Sequence, residues 1–243
     1  MNQFFSLVFF VHDTASSFLA KHLFAIKRLI LIAAHLALFG FFFPDLRKDF
    51  GEMAANLLIV ILFLSPLSKI FRTRLLLQLM GLRREMGIMM GYLATVHGLG
   101  YVLDPQWFDL LVAPALARGL FFVDPALLVG GAAYLLTLPL LLTSNTWAQR
   151  TLGGARWKLL HRLVYLMFVF AIVHRYFMKG GLTGDMIEAV LLLSGYIIAK
   201  VLAWHNFLSP LEKSIAWVAL RYREYTAIRM KQSIPVSQPQ IPL

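Results

Sequence analysis

The chain has 243 residues, 59% of them hydrophobic, no cysteine, and a formal net charge of +11. Soluble domains are only roughly 45–50% apolar, and here the apolar residues form long blocks separated by short basic loops, which indicates a multi-span membrane protein and not a nucleic-acid-binding one. The lack of cysteine excludes disulfides, cysteine-ligated iron–sulfur clusters, thiolate-ligated haem and covalent c-type haem.

The first part of the chain is predicted to contain two membrane spans after a short N-terminal segment. Residues 1–20 have neither the basic start nor the small-residue cleavage site of a signal peptide, which favours an interfacial segment. The spans are predicted from His22 to Phe43 and from Phe50 to Phe71, because a span needs roughly 20 apolar residues. His35 lies inside the first span, where a packing role and a cofactor role are both open.

A basic loop leads to the third span, predicted from Glu85 to Leu103, which contains His97. Gly87 and Gly91 in this span form a G-x-x-x-G pattern that favours close helix packing. The long segment 104–124 that follows combines aromatic, acidic and proline residues with apolar ones. This composition is typical of an amphipathic or re-entrant segment at a membrane interface.

The last part of the chain is predicted to contain three spans, at Pro125–Leu142, Trp157–Phe177 and Asp185–Ala203. In residues 209–231, apolar side chains recur at helical spacing between basic ones, which predicts an amphipathic helix on an anionic membrane surface. The proline-rich tail, residues 232–243, is predicted to be disordered. The predicted fold is an all-α membrane protein: a six-transmembrane-helix bundle over residues 21–208 with a cytoplasmic amphipathic C-terminal helix.

Most Lys and Arg residues lie at the start of the first span, after the second and fourth spans, and near the C-terminus. The positive-inside rule therefore predicts that both termini are cytoplasmic and that the third and fifth spans run outward. At about 1.5 Å per residue, His97 and His174 lie ~20 Å and ~26 Å from the cytoplasmic starts of these spans. Both histidines therefore fall at a similar depth in the outer half of the membrane.

Two neutral imidazoles at one depth on neighbouring helices can ligate a haem iron from both sides. An ionisable ring inside a membrane span is costly and usually marks a function. We therefore predict that His97 and His174 bind an outer haem b, the alternative being packing or water-bridged histidines. His161 lies thirteen residues before His174 on the cytoplasmic side, and its role as a ligand or as a flavin contact is open.

Arg83 lies fourteen residues before His97, nearly four helical turns below it on the same face and level with His161. A guanidinium group at this depth could bind a haem propionate or a flavin phosphate. Two interpretations of Arg83, Arg84 and their basic neighbours stay open. They either fix the topology or form a phosphate-binding surface for a flavin.

Several motifs resemble those of one known superfamily. They are S-P-L at 65–67, R-R-x-x-G at 83–87, His97 followed by Tyr101, T-S-N at 143–145, L-G at 152–153, W-x-x-L-H-R-L-x-Y at 157–165, and His174. Over roughly residues 25–205 the chain resembles the ferric-reductase-like transmembrane domain superfamily. Within it, the chain is similar to the MsrQ (YedZ) family, the haem-binding membrane subunits of a methionine-sulfoxide reductase system.

The resemblance implies a haem b electron-transfer subunit in the bacterial inner membrane. Its electrons would come from a cytoplasmic flavin reductase or the quinone pool and pass to a periplasmic molybdopterin-containing methionine-sulfoxide reductase. The family's haem histidines correspond to His97, His161 and His174, and some members also bind FMN. Arg83 stands where two-haem relatives carry a second histidine, which favours one haem over two.

The sequence contains no Gly-rich nucleotide motif and no soluble flavin or NAD domain, so we expect a redox subunit and not a complete enzyme. One alternative is a ferric-reductase-like haem protein that reduces metal at the outer face. Another is a haem-free transporter or scaffold whose intramembrane histidines serve transport or packing.

Overall fold

The computed structural model describes residues 2–119, 123–180 and 183–204. In these ranges the chain forms helices and no β-strand, which confirms the predicted all-α fold. The helices are α1 (Asn2–Ala37, continued by a 3₁₀ turn, Leu38–Phe42), α2 (Leu46–Phe71), α3 (Arg74–Met80), α4 (Arg83–Leu103), α5 (Pro105–Arg118), α6 (Pro125–Leu142), α7 (Thr146–Leu160), α8 (Leu163–Met178) and α9 (Thr183–Trp204).

Five spans consist of helices long and apolar enough to cross a membrane, namely α1 with its 3₁₀ turn, α2, α4, α6 and α9. The sixth is the pair α7 and α8, which is bent by 45°. Many large apolar side chains on these helices are exposed, as a lipid-facing surface requires. The predicted amphipathic helix (209–231) and the proline-rich tail (232–243) lie outside the described residues.

The fifth predicted span differs from the structure, because Trp157–Phe177 is not one helix. Helix α7 ends at Leu160, His161 and Arg162 form a tight turn, and α8 begins at Leu163. The apolar pattern continues through this turn, so it gave no sign of the break. As a result, the rise and rotation of an ideal helix do not describe the placement of His161 relative to His174.

Two other segments are more helical than the sequence indicated. Residues 2–20 are the first half of α1 and continue into the first span without a break. In this first half of α1, Ser16 is buried and its hydroxyl donates a hydrogen bond to the Gln78 side chain of α3, 3.1 Å away. The segment 104–124 contains the 14-residue helix α5. The division of the chain into an interfacial segment and a bundle stays a prediction.

The core lies where α2 packs on α4 and α6 packs on α8. Leu62, Leu93, Met167 and Phe168 are almost completely buried there. Only one glycine of the predicted G-x-x-x-G pattern makes a close contact. A Cβ on Gly91 would lie 2.8 Å from the Leu141 side chain, whereas a Cβ on Gly87 would meet open space.

Candidate functional site

The structure brings His97 of α4 and His174 of α8 together. Their ring centroids are 6.2 Å apart, the ring planes are inclined by 65°, and both side chains are partly buried. The two histidines come from different helix pairs, since α4 packs mainly on α2 and α8 packs mainly on α6. The sequence analysis placed these two residues at one depth, and the fold makes them neighbours. Their role as ligands stays a prediction.

Each imidazole is oriented by a backbone carbonyl group. His97 Nδ1 donates to the carbonyl oxygen of Arg47 at 2.8 Å, and His174 Nδ1 donates to that of Ala126 at 2.7 Å. A carbonyl oxygen can only accept, so Nδ1 carries the proton and Nε2 carries the lone pair. Histidines that bind metals almost always donate their second ring nitrogen in this way. Both rings are therefore in the tautomer that a metal ligand requires.

A glycine lies one helical turn after each of these carbonyl groups. Gly51 follows Arg47 by four residues and Gly130 follows Ala126 by four residues. A Cβ on Gly51 would lie 2.6 Å from His97 Nδ1, and a Cβ on Gly130 would lie 2.6 Å from His174 Nδ1. We call each combination of a carbonyl group and a glycine a histidine cradle. Only glycine lets the ring approach the helix this closely.

The paired histidines fit a haem iron. Two metal–imidazole bonds of about 2 Å each, added to the distance from each ligating nitrogen to its ring centroid, match the 6.2 Å between the two centroids. Among the described residues there is no group of three or more His, Cys, Asp or Glu that could hold a metal ion. A two-histidine site suits haem, because the porphyrin supplies the other four nitrogen ligands of the iron.

An ion pair lies beside the His97 cradle. Arg47 Nη1 donates to Asp104 Oδ2 at 2.6 Å, and only 9% of the Arg47 side chain is exposed. This bond joins the first turn of α2 to the end of α4, the two elements that position His97. The Arg47 guanidinium holds the pKa of Asp104 below its ordinary value, mainly through the direct hydrogen bond.

The Arg47–Asp104 pair predicts an acid sensitivity of the fold. A carboxyl group whose pKa is lowered on folding stabilises the folded state above its unfolded pKa of about 3.9. That contribution is lost as the pH falls through the lower pKa of the folded state. We therefore expect Asp104→Asn to lower the melting temperature at pH 7, and the difference from the wild type to shrink towards pH 3. The measurement is thermal unfolding in detergent, with Asp109→Asn as the control. A pH-independent difference would contradict this role.

A cavity of about 550 Å³ lies on the other side of the core, between α2, α4, α6, α7 and α8. Its volume is in the range of known cofactor sites. The inner end of the cavity is apolar, with Leu58, Ile61 and Met90, and its rim is basic. No Asp or Glu is among the described residues that line it. The cations of the rim are Arg83, Arg84, Lys158 and Arg162.

His161 lines this inner cavity and is held by the neighbouring helix end. Its Nε2 lies 3.1 Å from Thr143 Oγ1, and its ring stacks on Trp157 with centroids 4.0 Å apart. Trp157 Nε1 in turn donates to the Thr143 carbonyl oxygen at 2.9 Å. These contacts fix α7 to the end of α6 and account for the turn between α7 and α8. His161 therefore does not join the outer histidine pair.

Arg83 and Arg84 line the same cavity as His161, as their predicted depth required. Arg84 Nε donates to the carbonyl oxygen of Ser144 at 3.1 Å, at the C-terminal end of α6 where the helix dipole favours a cation. A basic rim above an apolar interior can bind a flat ring that carries phosphate or carboxylate groups.

His35 does not contribute to either site. Its Nδ1 lies 2.7 Å from the carbonyl oxygen of Leu31 in its own helix, and its ring packs edge-on against Tyr92 at 5.3 Å. The side chain is exposed on α1. Of the two roles that the sequence left open, this placement favours packing.

The chain is similar to known membrane proteins. The profile of the family described as ferric reductase like transmembrane component matches residues 50–172. Over 158 residues the chain is 36% identical to the protein-methionine-sulfoxide reductase haem-binding subunit MsrQ of Azospira oryzae, covering 65% of this chain and 61% of that protein. Over 159 residues it is 32% identical to the MsrQ protein of Bordetella parapertussis, covering 65% and 72%.

A third relative, MsrQ of Polaromonas naphthalenivorans, is 33% identical over 132 residues, which cover 54% of this chain and 57% of that protein. The chain thus spans less than two thirds of the length of the Azospira and Polaromonas relatives. No solved structure matches the chain.

Proposed function

The chain belongs to the ferric reductase-like transmembrane family and, within it, to the MsrQ family, and from this membership we propose that it is a haem b electron-transfer subunit of a membrane redox system. The observation that carries the proposal is the His97–His174 pair. Both rings donate from Nδ1 to a backbone carbonyl group, and their centroids are 6.2 Å apart. A packing role alone does not explain why two separate helices hold their histidines in the same way.

His97 and His174 would hold the haem, and the two cradles would orient them. A bound haem supplies one-electron redox chemistry, and its potential depends on the axial ligands, on their hydrogen bonds and on burial. Hydrogen bonds from the ligands to the carbonyl groups of Arg47 and Ala126 raise the basicity of each imidazole.

We further propose that electrons cross the bacterial inner membrane outward, with both termini in the cytoplasm. The distribution of basic residues supports this orientation, because the inner cavity is surrounded by cations and the outer site has few. The donor is a cytoplasmic flavin reductase or the quinone pool. The acceptor is a periplasmic molybdopterin-containing methionine-sulfoxide reductase, in line with the printed name of the MsrQ relatives.

The inner cavity is proposed as the site where electrons enter. Its volume, apolar interior and four cations suit a flat ring with an anionic group, such as FMN or a second haem. Arg83 and Arg84 would bind the anionic group, and His161 would contact the ring. Arg83 occupies the position level with His161, so His161 is the one histidine among the described residues that line this cavity. A second haem bound there by two histidines would lack one of its ligands.

The proposal is tested by a visible difference spectrum, dithionite-reduced minus oxidised, and by a pyridine haemochrome assay of the purified protein. We expect a b-type spectrum and about one haem per chain. A ratio near two would move a second haem into the inner cavity. The absence of haem after expression with adequate iron and haem supply would contradict the proposal and support a transporter or scaffold.

A second candidate function rests on the matched family profile, which is described as a ferric reductase like transmembrane component. In that case the outer haem would reduce ferric iron directly at the outer face. Reoxidation of the reduced protein by a ferric chelate, compared with reoxidation by the methionine-sulfoxide reductase, separates the two functions. Faster reoxidation by the chelate would favour the metal reductase.

A further inference from the structure

A lysine is hydrogen-bonded to a tyrosine that lines the inner cavity. Lys200 of α9 donates from Nζ to the hydroxyl oxygen of Tyr165 on α8, with 3.0 Å between them. Tyr165 lines the cavity and its side chain is 39% exposed. Neither residue has a part in the histidine pair or in the basic rim.

The position of Lys200 needs an explanation. It lies within the span formed by α9, where a cation is costly and usually marks a function. In the described part of the chain, no carboxylate forms an ion pair with it. Its neighbours are instead aromatic, since Nζ lies 4.8 Å from the Tyr165 ring centroid and 5.7 Å from that of Tyr196.

We propose that Tyr165 and Lys200 form a proton-exchange pair that serves the electron donor in the inner cavity. This inference rests on the proposed function. It deepens that function, because a proton-exchange pair is useful only to a donor ring that carries electrons together with protons, such as a quinol or a reduced flavin. A second haem in the cavity would pass electrons alone and would not need such a pair.

The chemistry balances as follows. Oxidation of a quinol or a fully reduced flavin releases two electrons and two protons. A haem held by His97 and His174 would accept these two electrons one at a time, passing the first outward before it takes the second. Lys200 first releases a proton from its ammonium group to the cytoplasmic water near the end of α9. Tyr165 then takes a proton from the ring as its own hydroxyl proton moves to the amine of Lys200, which restores the ammonium group. The second proton follows in a second cycle.

The test follows haem reduction in the purified, haem-loaded full chain by stopped-flow absorbance with three reductants. Menadiol and photoreduced FMN release protons when they give up their electrons. Dithionite gives up electrons without a proton that the protein has to accept. For Tyr165→Phe and Lys200→Met we expect reduction by at least one proton-carrying reductant to slow by roughly 100-fold, the lower end of the effect of an acid–base group. Reduction by dithionite should not change. The wild type should show a solvent deuterium isotope effect only with the proton-carrying reductants.

Lys200→Arg separates proton exchange from charge. Arginine keeps the positive charge and the hydrogen bond but does not release a proton in proteins. We expect haem reduction in Lys200→Arg to be as slow as in Lys200→Met. The control is Tyr92→Phe on α4, away from the cavity, which should be reduced as fast as the wild type. Slowing with menadiol alone or with FMN alone supports the pair and identifies the donor class.

Three results would overturn the inference. They are normal rates in Tyr165→Phe with both proton-carrying reductants, full activity of Lys200→Arg, and equal slowing with dithionite. A wild type without haem would instead overturn the proposed function, and the inference with it.

Discussion

Replacing either His97 or His174 by alanine is expected to abolish the b-type spectrum of the purified protein. A single remaining imidazole would hold the haem iron through one bond in place of the two that His97 and His174 would supply together. The loss in haem affinity should exceed the roughly 10–100-fold that follows removal of a ligand's outer partner. Haem per chain by pyridine haemochrome assay, on protein purified in parallel, measures the effect.

His35→Ala is the matched control for the histidine variants. His35 is also an intramembrane histidine of the bundle, but it packs against Tyr92 and lies away from the pair. Its variant should retain the haem of the wild type. Circular dichroism should show unchanged helix content in all three variants, since alanine is a strong helix former. Normal haem content in both His97→Ala and His174→Ala would remove the ligand assignment.

Gly130→Ala is expected to lower haem affinity although Gly130 itself is no ligand. Its Cβ would lie 2.6 Å from His174 Nδ1, closer than non-bonded atoms allow. The imidazole must therefore move and lose its hydrogen bond to Ala126 or its direction towards His97. We expect a roughly 10–100-fold loss of haem affinity, as for other disturbed outer contacts of a ligand. Titration of apoprotein with hemin measures it.

Gly131→Ala provides the control for this experiment. Gly131 is the next residue of the same helix, and a Cβ there would have no atom within 4 Å. Both variants exchange a glycine for a better helix former at adjacent positions, so a general effect on α6 would appear in both. Gly51→Ala should repeat the loss on the His97 side. Equal haem affinity in Gly130→Ala and Gly131→Ala would show that the cradle does not position the ligand.

The sequence was sufficient to predict where most of the spans lie because apolar length determines them, although it did not reveal the break in the fifth. The fourth predicted span, Pro125–Leu142, has the same bounds as α6, where Asp124 accepts a hydrogen bond from the first turn. The depth of His97 could be estimated too, since α4 is a continuous helix with a fixed rise per residue. The estimate for His174 was less direct, because it counted residues through the break at His161. These predictions depend on local periodicity, which a single sequence contains.

The contacts that orient the site could not be predicted in the same way. The cradles pair Gly51 with His97 and Gly130 with His174, residues far apart in sequence that meet only after helix packing. The break at His161 depends on side-chain contacts with Thr143 in another helix. The approach of Lys200 to Tyr165 likewise requires the packing of α9 on α8. Each of these features is tertiary and leaves no periodic pattern.

The two cradles also bear on how the protein is assembled. Each ligand and its cradle belong to one helical hairpin-like pair, α2 with α4 on one side and α6 with α8 on the other. Each pair can therefore present a correctly oriented imidazole before the cofactor arrives. An iron bound by both would then act as a cross-link between the pairs, and binding to the folded state alone would stabilise it by mass action. Insertion of a haem held by His97 and His174 would therefore join the two halves of the bundle, and the stability of the folded protein would then depend on the haem supply.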